Sequence, residues 1–261
     1  MLKIEQLSVQ YQGNPLPTLH DFNLSIDEGK IVCIVGESGS GKSTVLKTIL
    51  GALPKKTQIS GTIQFEEMSL LQQSVSEWQK MRGTVFSMIF QDSTAALNPI
   101  RKIGKQYEEY IRQHESVSSE DARKQAEAML AKMQLRVARS IMDSYPHQLS
   151  GGMCQRVGIA LAMTFNPRLL LADEPTSALD VVTQEQIVEQ LLQVREQFSV
   201  SVLLVTHNVA MAAHMADRLI VMENGKIVDQ GSPLEVITQP KSAYTKKLLA
   251  SVPELKGAAY V

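Results

Sequence analysis

Hydrophobic and polar positions alternate at the start of the chain. Leu2, Ile4, Leu7 and Val9 fall near a two-residue period, and Leu19, Phe22, Leu24 and Ile26 follow after a Pro/Gly-rich turn at 13–17. Both runs predict strands. After the turn Asp27-Glu28-Gly29-Lys30, the run 31–35 is continuously apolar, which suits a strand buried on both faces of a mixed or parallel sheet. A glycine-rich loop comes next, then a helical pattern through Leu46, Ile49 and Leu50. From about Asn98 to Ser144 the chain is rich in Lys, Glu, Gln, Ala and Met, and no strand-like run interrupts it. Segments 103–115 and 119–134 read as amphipathic helices, with Ser118 or Ser119 ahead of Glu120 and Asp121 as the N-terminal cap. The alternation of strand and helix then resumes: 169–172, 200–205 and 218–222 read as strands, 184–197 and 209–216 as helices. Glu223-Asn224-Gly225-Lys226 is a hairpin turn, with Ile227-Val228 returning. This pattern predicts helices packed on a mostly parallel sheet, with a helical insertion in the middle.

Composition narrows the class. The 261 residues suggest one to two domains, and 44% hydrophobic with 20% charged residues is ordinary for a globular chain. A net charge of −1 argues against a generic basic grip on nucleic acid. No apolar run approaches the roughly 18 residues that span a bilayer. The opening Met1-Leu2-Lys3-Ile4-Glu5 alternates and carries an acid early, unlike a signal peptide. Cys33 and Cys154 offer no disulfide framework, no metal-site spacing and no iron–sulfur ligand set. These features favour a reducing cytoplasm.

Three segments carry chemistry. Gly36-Glu37-Ser38-Gly39-Ser40-Gly41-Lys42-Ser43-Thr44 matches G-x-x-x-x-G-K-[ST], with a buried strand before it and a helix after. Its glycines let backbone N–H groups turn inward on an anion, and the helix start adds its dipole. Lys42 would reach the β- and γ-phosphates, and the Ser43 hydroxyl would ligate Mg²⁺. Asp173-Glu174 ends the apolar run from Leu169, at the strand edge where α/β sheets bind ligands. Asp173 is placed to hold Mg²⁺ through water, and Glu174 to polarise an attacking water. Finally, Leu149-Ser150-Gly151-Gly152-Met153-Cys154 leads directly into a helix, a second candidate anion-binding helix start. A phosphate-loop kinase has no need of that segment.

In their order, the phosphate loop, Gln91, the segment 149–154, Leu169 to Glu174, Ser177-Ala178-Leu179-Asp180 and His207 resemble the ATP-binding cassette (ABC) ATPases over roughly residues 1–235. Phe90-Gln91-Asp92 with Ala96-Leu97-Asn98-Pro99, the run Tyr145 to Met153, and Ala243-Tyr244-Thr245-Lys246-Lys247-Leu248-Leu249 resemble the dipeptide, oligopeptide and nickel branch of importers. The resemblance implies an α/β fold of the phosphate-loop (P-loop) nucleoside triphosphatase type. It has a mixed or parallel core, an antiparallel N-terminal β-subdomain and an inserted α-helical subdomain. The ATPase domain would span 1–235, with its core at about 1–92 and 161–235, the helical subdomain at about 93–160, and a short tail at 236–261.

The same resemblance implies roles. ATP is the substrate and Mg²⁺ its cofactor. Tyr11 matches the aromatic that stacks on adenine, and Gln91, between the apolar run 85–90 and the helical insertion, matches the glutamine that touches Mg²⁺ and water. His207 matches the γ-phosphate switch, and Ser150, Gly151 and Gly152 match the signature that caps a nucleotide held by an opposing cassette. The catalytic set is then Glu174, His207, Gln91 and Lys42, with Ser43, Gln91 and Asp173 for the metal. Gly-Gly-Met replaces the commoner Gly-Gly-Gln of the signature, as is frequent in this branch, and Cys154 reads as a packed thiol. The implied partners are transmembrane permease subunits, a second cassette and, indirectly, an extracytoplasmic solute-binding protein; nucleic acid is not among them. The chain would sit peripherally on the cytoplasmic face of the membrane. An exporter cassette and a soluble ABC ATPase are the alternatives; sustained heptads and a second phosphate loop, which the soluble kinds carry, are lacking in this sequence.

Overall fold

The structure, a computed structural model, describes residues 1–135 and 137–251. Two compact units emerge: one from Met1–Trp78 with the chain from Ser201 onward, the other from Gln79–Val200.

In the first unit, strands Leu19–Ile26, Leu2–Gln10, Gln58–Phe65 and Met68–Ser69 lie in that spatial order as an antiparallel sheet. Apolar residues pair across it: Leu2 with Ile26, Ile4 with Leu24, Leu7 with Phe22, Val9 with Leu19. The three-residue step from Ile4 to Leu7 breaks strict alternation. The register shifts there and Gln6 takes φ 52°, so a bulge absorbs the extra residue and all four side chains stay buried.

A second group of strands carries the phosphate loop. Ile31–Val35, buried at every position, pairs in parallel with Ser201–Thr206 on one side and Arg218–Glu223 on the other. Lys226–Gly231 returns antiparallel to Arg218–Glu223. Burial on both faces explains why Ile31–Val35 and Ser201–Thr206 lack polar alternation. Val35 pairs with both Thr206 and Val221, so Gly36, His207 and Met222 lie together at one carboxyl edge. The turn Asn224-Gly225 has φ 47° and 77°, as a type I′ hairpin requires. The segment expected as a tail, 236–261, includes helix Ala243–Ala250; residues 252–261 lie outside the described ones.

The second unit holds the parallel pair Phe86–Ile89 and Leu169–Asp173. Its helices include Ile103–His114, Ser119–Lys132, Ala138–Asp143, Gly151–Met163 and Val181–Phe198. The expected helical insertion, about 93–160, lies within this unit. Ser118 is the cap of its helix, its hydroxyl accepting from Asp121 N–H. Buried Tyr107 ties two helices together through a 2.8 Å hydrogen bond with Thr164 Oγ1. The Glu108 carboxylate, also buried, accepts from Lys105 (2.9 Å) and Ser119 (2.8 Å) and faces Arg123. Burial pushes its pKa up, but those hydrogen bonds and charges outweigh it and hold the carboxyl below the usual glutamate range. Among the described residues, no helix is long and apolar enough to cross a membrane.

Candidate active site

The phosphate loop is shaped by close backbone approach. A Cβ on Gly36 would stand 2.3 Å from the Met222 carbonyl oxygen, so only glycine fits there. Gly41, with φ 101°, is the N-cap of helix Lys42–Ile49, and no side chain caps that helix. Its positive end is therefore open to an anion. Lys42 is only 5% exposed, and its Nζ donates to the carbonyls of Gly36 (2.8 Å) and Glu37 (2.9 Å). The ammonium is thus held inside the loop that its own helix follows. Ser40 Oγ is buried without a hydrogen-bond partner among the described residues. A buried hydroxyl without a partner, beside a helix start that no side chain caps, is what a bound phosphate would satisfy.

Other expected residues of the first unit gather at this loop. The Tyr11 hydroxyl lies 3.2 Å from Thr44 Oγ1, which puts the ring beside the first turn of the loop helix. His207 leaves the sheet at the same edge as Gly36 and is exposed. Asn208 follows it and caps helix Val209–Met215 by accepting from Met211 N–H at 3.0 Å. Two contacts on the loop were not foreseen in the sequence. Gly225 N–H donates to the Ser40 carbonyl at 3.0 Å, and Glu37 N–H donates to the Tyr244 hydroxyl at 2.9 Å. Tyr244 figured in the sequence only within the run 243–249 that resembles the importer branch, which carries no signal for this contact.

In the second unit, Ile89 pairs with Ala172, so Gln91, Asp173 and Glu174 lie together at one carboxyl edge. Asp92 caps the turn after Gln91, its Oδ1 accepting from Thr94 and Ala95 N–H at 2.9 and 3.0 Å. Glu174 has φ 44°, a left-handed backbone that costs a non-glycine residue about 1 kcal/mol or more. Its carbonyl accepts from the Ser177 N–H and hydroxyl, both at 3.2 Å. The strain sits at the residue expected from the sequence to act on water, and strained backbone clusters at active sites.

Ser150 caps helix Gly151–Met163, its Oγ accepting from Met153 N–H at 3.2 Å. Gly152 packs on the next helix: a Cβ there would stand 2.6 Å from Thr183 Cγ2. Thr183 is itself fixed by Asp180, which accepts from its N–H (3.0 Å) and hydroxyl (2.7 Å). Those two bonds hold the Asp180 carboxyl below the usual aspartate range. Cys154 is buried, donates to the Pro146 carbonyl at 3.4 Å, and has its thiol pKa raised by burial; it packs rather than reacts.

Among the described residues, no three His, Cys, Asp or Glu gather to hold a metal. The expected magnesium ligands Ser43, Gln91 and Asp173 offer hydroxyl, amide and carboxylate oxygens. These are hard donors of the kind Mg²⁺ takes alongside nucleotide phosphates, so the residues present fit the ion.

Residues 19–177 match the family model described as ABC transporter. The chain is 38% identical to the oligopeptide transport ATP-binding protein OppD of Bacillus subtilis (strain 168), over 99% of this chain and 73% of that one. It is 35% identical to the metal-staphylopine import system ATP-binding protein CntD of Staphylococcus aureus (strain NCTC 8325 / PS 47), over 96% and 93%. Among solved structures, the ATP-binding cassette MJ0796, in a dimeric post-hydrolysis state bound to ADP and Pi, superposes with a TM-score of 0.77 at 31% identity. That match covers 89% of this chain and 99% of the other. The chain belongs to the ABC transporter family and is an ATP-hydrolysing cassette of its peptide and nickel importer branch.

Proposed function

We propose that this cassette hydrolyses ATP to drive import of short peptides or of nickel, free or chelated, working on the cytoplasmic face of the membrane against permease subunits. The observation that carries the reading is the buried Lys42 ammonium, held on the Gly36 and Glu37 carbonyls at the strand edge from which His207 also leaves. Phosphoryl transfer to water is mainly positioning and electrostatics. Lys42 and the loop N–H groups draw charge from the β- and γ-phosphates, and Tyr11 stacks on the base. Glu174 orients the attacking water and accepts its proton. His207 and Gln91 sense the γ-phosphate, and Gln91 passes its state to the helical subdomain at about 93–160. Magnesium, when bound, neutralises phosphate charge, and Ser43, Gln91 and Asp173 would hold it.

The signature Ser150-Gly151-Gly152 serves the nucleotide of a second cassette, most simply a related chain. Val181 and Val182, 71% and 64% exposed in the first turn of the helix that Gly152 touches, give that partner an apolar footing. One chain alone then binds ATP but hydrolyses it slowly. Uptake by a strain lacking this chain, with labelled nickel and a labelled dipeptide side by side, tests the cargo. Loss of one identifies it; loss of neither overturns the cargo class.

A further inference from the structure

We infer that the C-terminal helix Ala243–Ala250 braces the phosphate loop, and that Tyr244 is a positioning residue for nucleotide binding, acting through Glu37. The inference rests on the ATPase reading and adds to it a residue outside the catalytic set.

Glu37 is held from two sides. Its carbonyl accepts from Lys42 Nζ at 2.9 Å, and its N–H donates to the Tyr244 hydroxyl at 2.9 Å. A shift of this one residue therefore moves the carbonyl that aims the lysine. The tyrosine is well anchored in turn. Asp229, buried on strand Lys226–Gly231, accepts through Oδ2 from Lys241 N–H (2.7 Å) and Ser242 N–H (3.4 Å). Its Oδ1 takes Gln230 N–H at 3.1 Å. Ser242 caps the helix, accepting from Thr245 N–H at 2.9 Å, and its hydroxyl meets that of fully buried Thr245 at 2.8 Å. The helix start is thus tied to the strand whose hairpin turn also reaches the loop, through Gly225 N–H on the Ser40 carbonyl. The loop is held at two backbone points, Glu37 N–H and Ser40 carbonyl, by one continuous stretch of chain. Burial, with Glu37 and Glu223 nearby, raises the phenol pKa, so the hydroxyl stays neutral.

The test is Tyr244→Phe in the full chain, which keeps the ring and removes only the hydroxyl. ADP affinity is read by calorimetry, hydrogen exchange at the Glu37 amide by NMR, and folding by thermal melting. The expected result is ADP binding weakened about three- to tenfold, the ratio one hydrogen bond supports. Exchange at Glu37 should be faster, with little change in melting temperature. Lys247→Ala, on an exposed position of the same helix, should change neither binding nor exchange. Unchanged ADP affinity in Tyr244→Phe overturns the inference, as does an equal loss in Lys247→Ala. Failure of the unsubstituted chain to bind ADP at all would instead remove the ATPase reading beneath it.

Discussion

Two helices in this molecule begin on glycine-rich turns, and they are built in opposite ways. Helix Lys42–Ile49 starts at Gly41 with no capping side chain, and its loop is shaped by groups distant in sequence: Met222, Gly225 and Tyr244. Helix Gly151–Met163 caps itself through Ser150 and leans its glycine on a neighbouring side chain, Thr183. The first start is incomplete without an anion, since its dipole is uncapped and Ser40 Oγ lacks a partner. The second has one of its first-turn N–H groups, that of Met153, met by its own Ser150 cap. The contrast fits the roles proposed for them: a loop that encloses a phosphate and a segment offered to one held elsewhere.

Substitution at the two glycines should bring out the contrast most strongly. Gly36→Ala meets a backbone carbonyl that cannot swing aside, so ADP affinity should fall about 10- to 100-fold, as about 1–3 kcal/mol of overpacking dictates. Gly152→Ala meets only a methyl group, Thr183 Cγ2. It should cost about 1 kcal/mol of stability, leave ADP binding by the single chain intact, and be relieved by adding Thr183→Ser. Calorimetry and thermal melting on the same four proteins check both halves. Equal loss of ADP affinity in the two glycine variants would erase the contrast.

A smaller effect is expected at the cap itself. Ser150→Ala should destabilise the chain by about 0.5–2 kcal/mol in urea unfolding without weakening ADP binding. A fall in ADP affinity there would show that the second start also serves the chain's own nucleotide.

The smallest effect concerns the helical part of the second unit. Because the folded structure lowers the Glu108 pKa, its contribution is present above the ordinary glutamate range and is lost as pH falls through that range and below. Glu108→Gln should flatten the acid side of a melting-temperature profile by about 2–4 °C and leave the neutral side nearly parallel to wild type. A profile unchanged in shape would mean that Lys105, Ser119 and Arg123 do not stabilise the charge.

What could be read from the sequence follows the same division. Ile31–Val35 and Ser201–Thr206 were legible because burial on both faces leaves an unbroken apolar run. Gln58–Phe65 was not, since its first five residues are exposed and Gly61 interrupts the pattern. Helix Val75–Met81 likewise gave no readable period. The phosphate loop was legible because its chemistry is contiguous, and Asp173-Glu174 because acids end a buried strand. The contacts that finish the loop are another matter. Glu37 and Tyr244 lie 207 positions apart, and no local pattern announces a hydroxyl set on a backbone N–H. Gly152 against Thr183 is hidden for the same reason, because packing between helices is decided by tertiary placement and not by the period of either helix.

The proposed mechanism assigns the activation of water to Glu174, apart from the loop that binds the nucleotide. The most direct measurement is ATP turnover and ATP affinity of Glu174→Gln beside wild type in the assembled transporter. Turnover should fall about 10²- to 10⁴-fold while affinity stays within about threefold. Wild-type turnover in the variant would contradict the assignment and return the catalytic base to another residue.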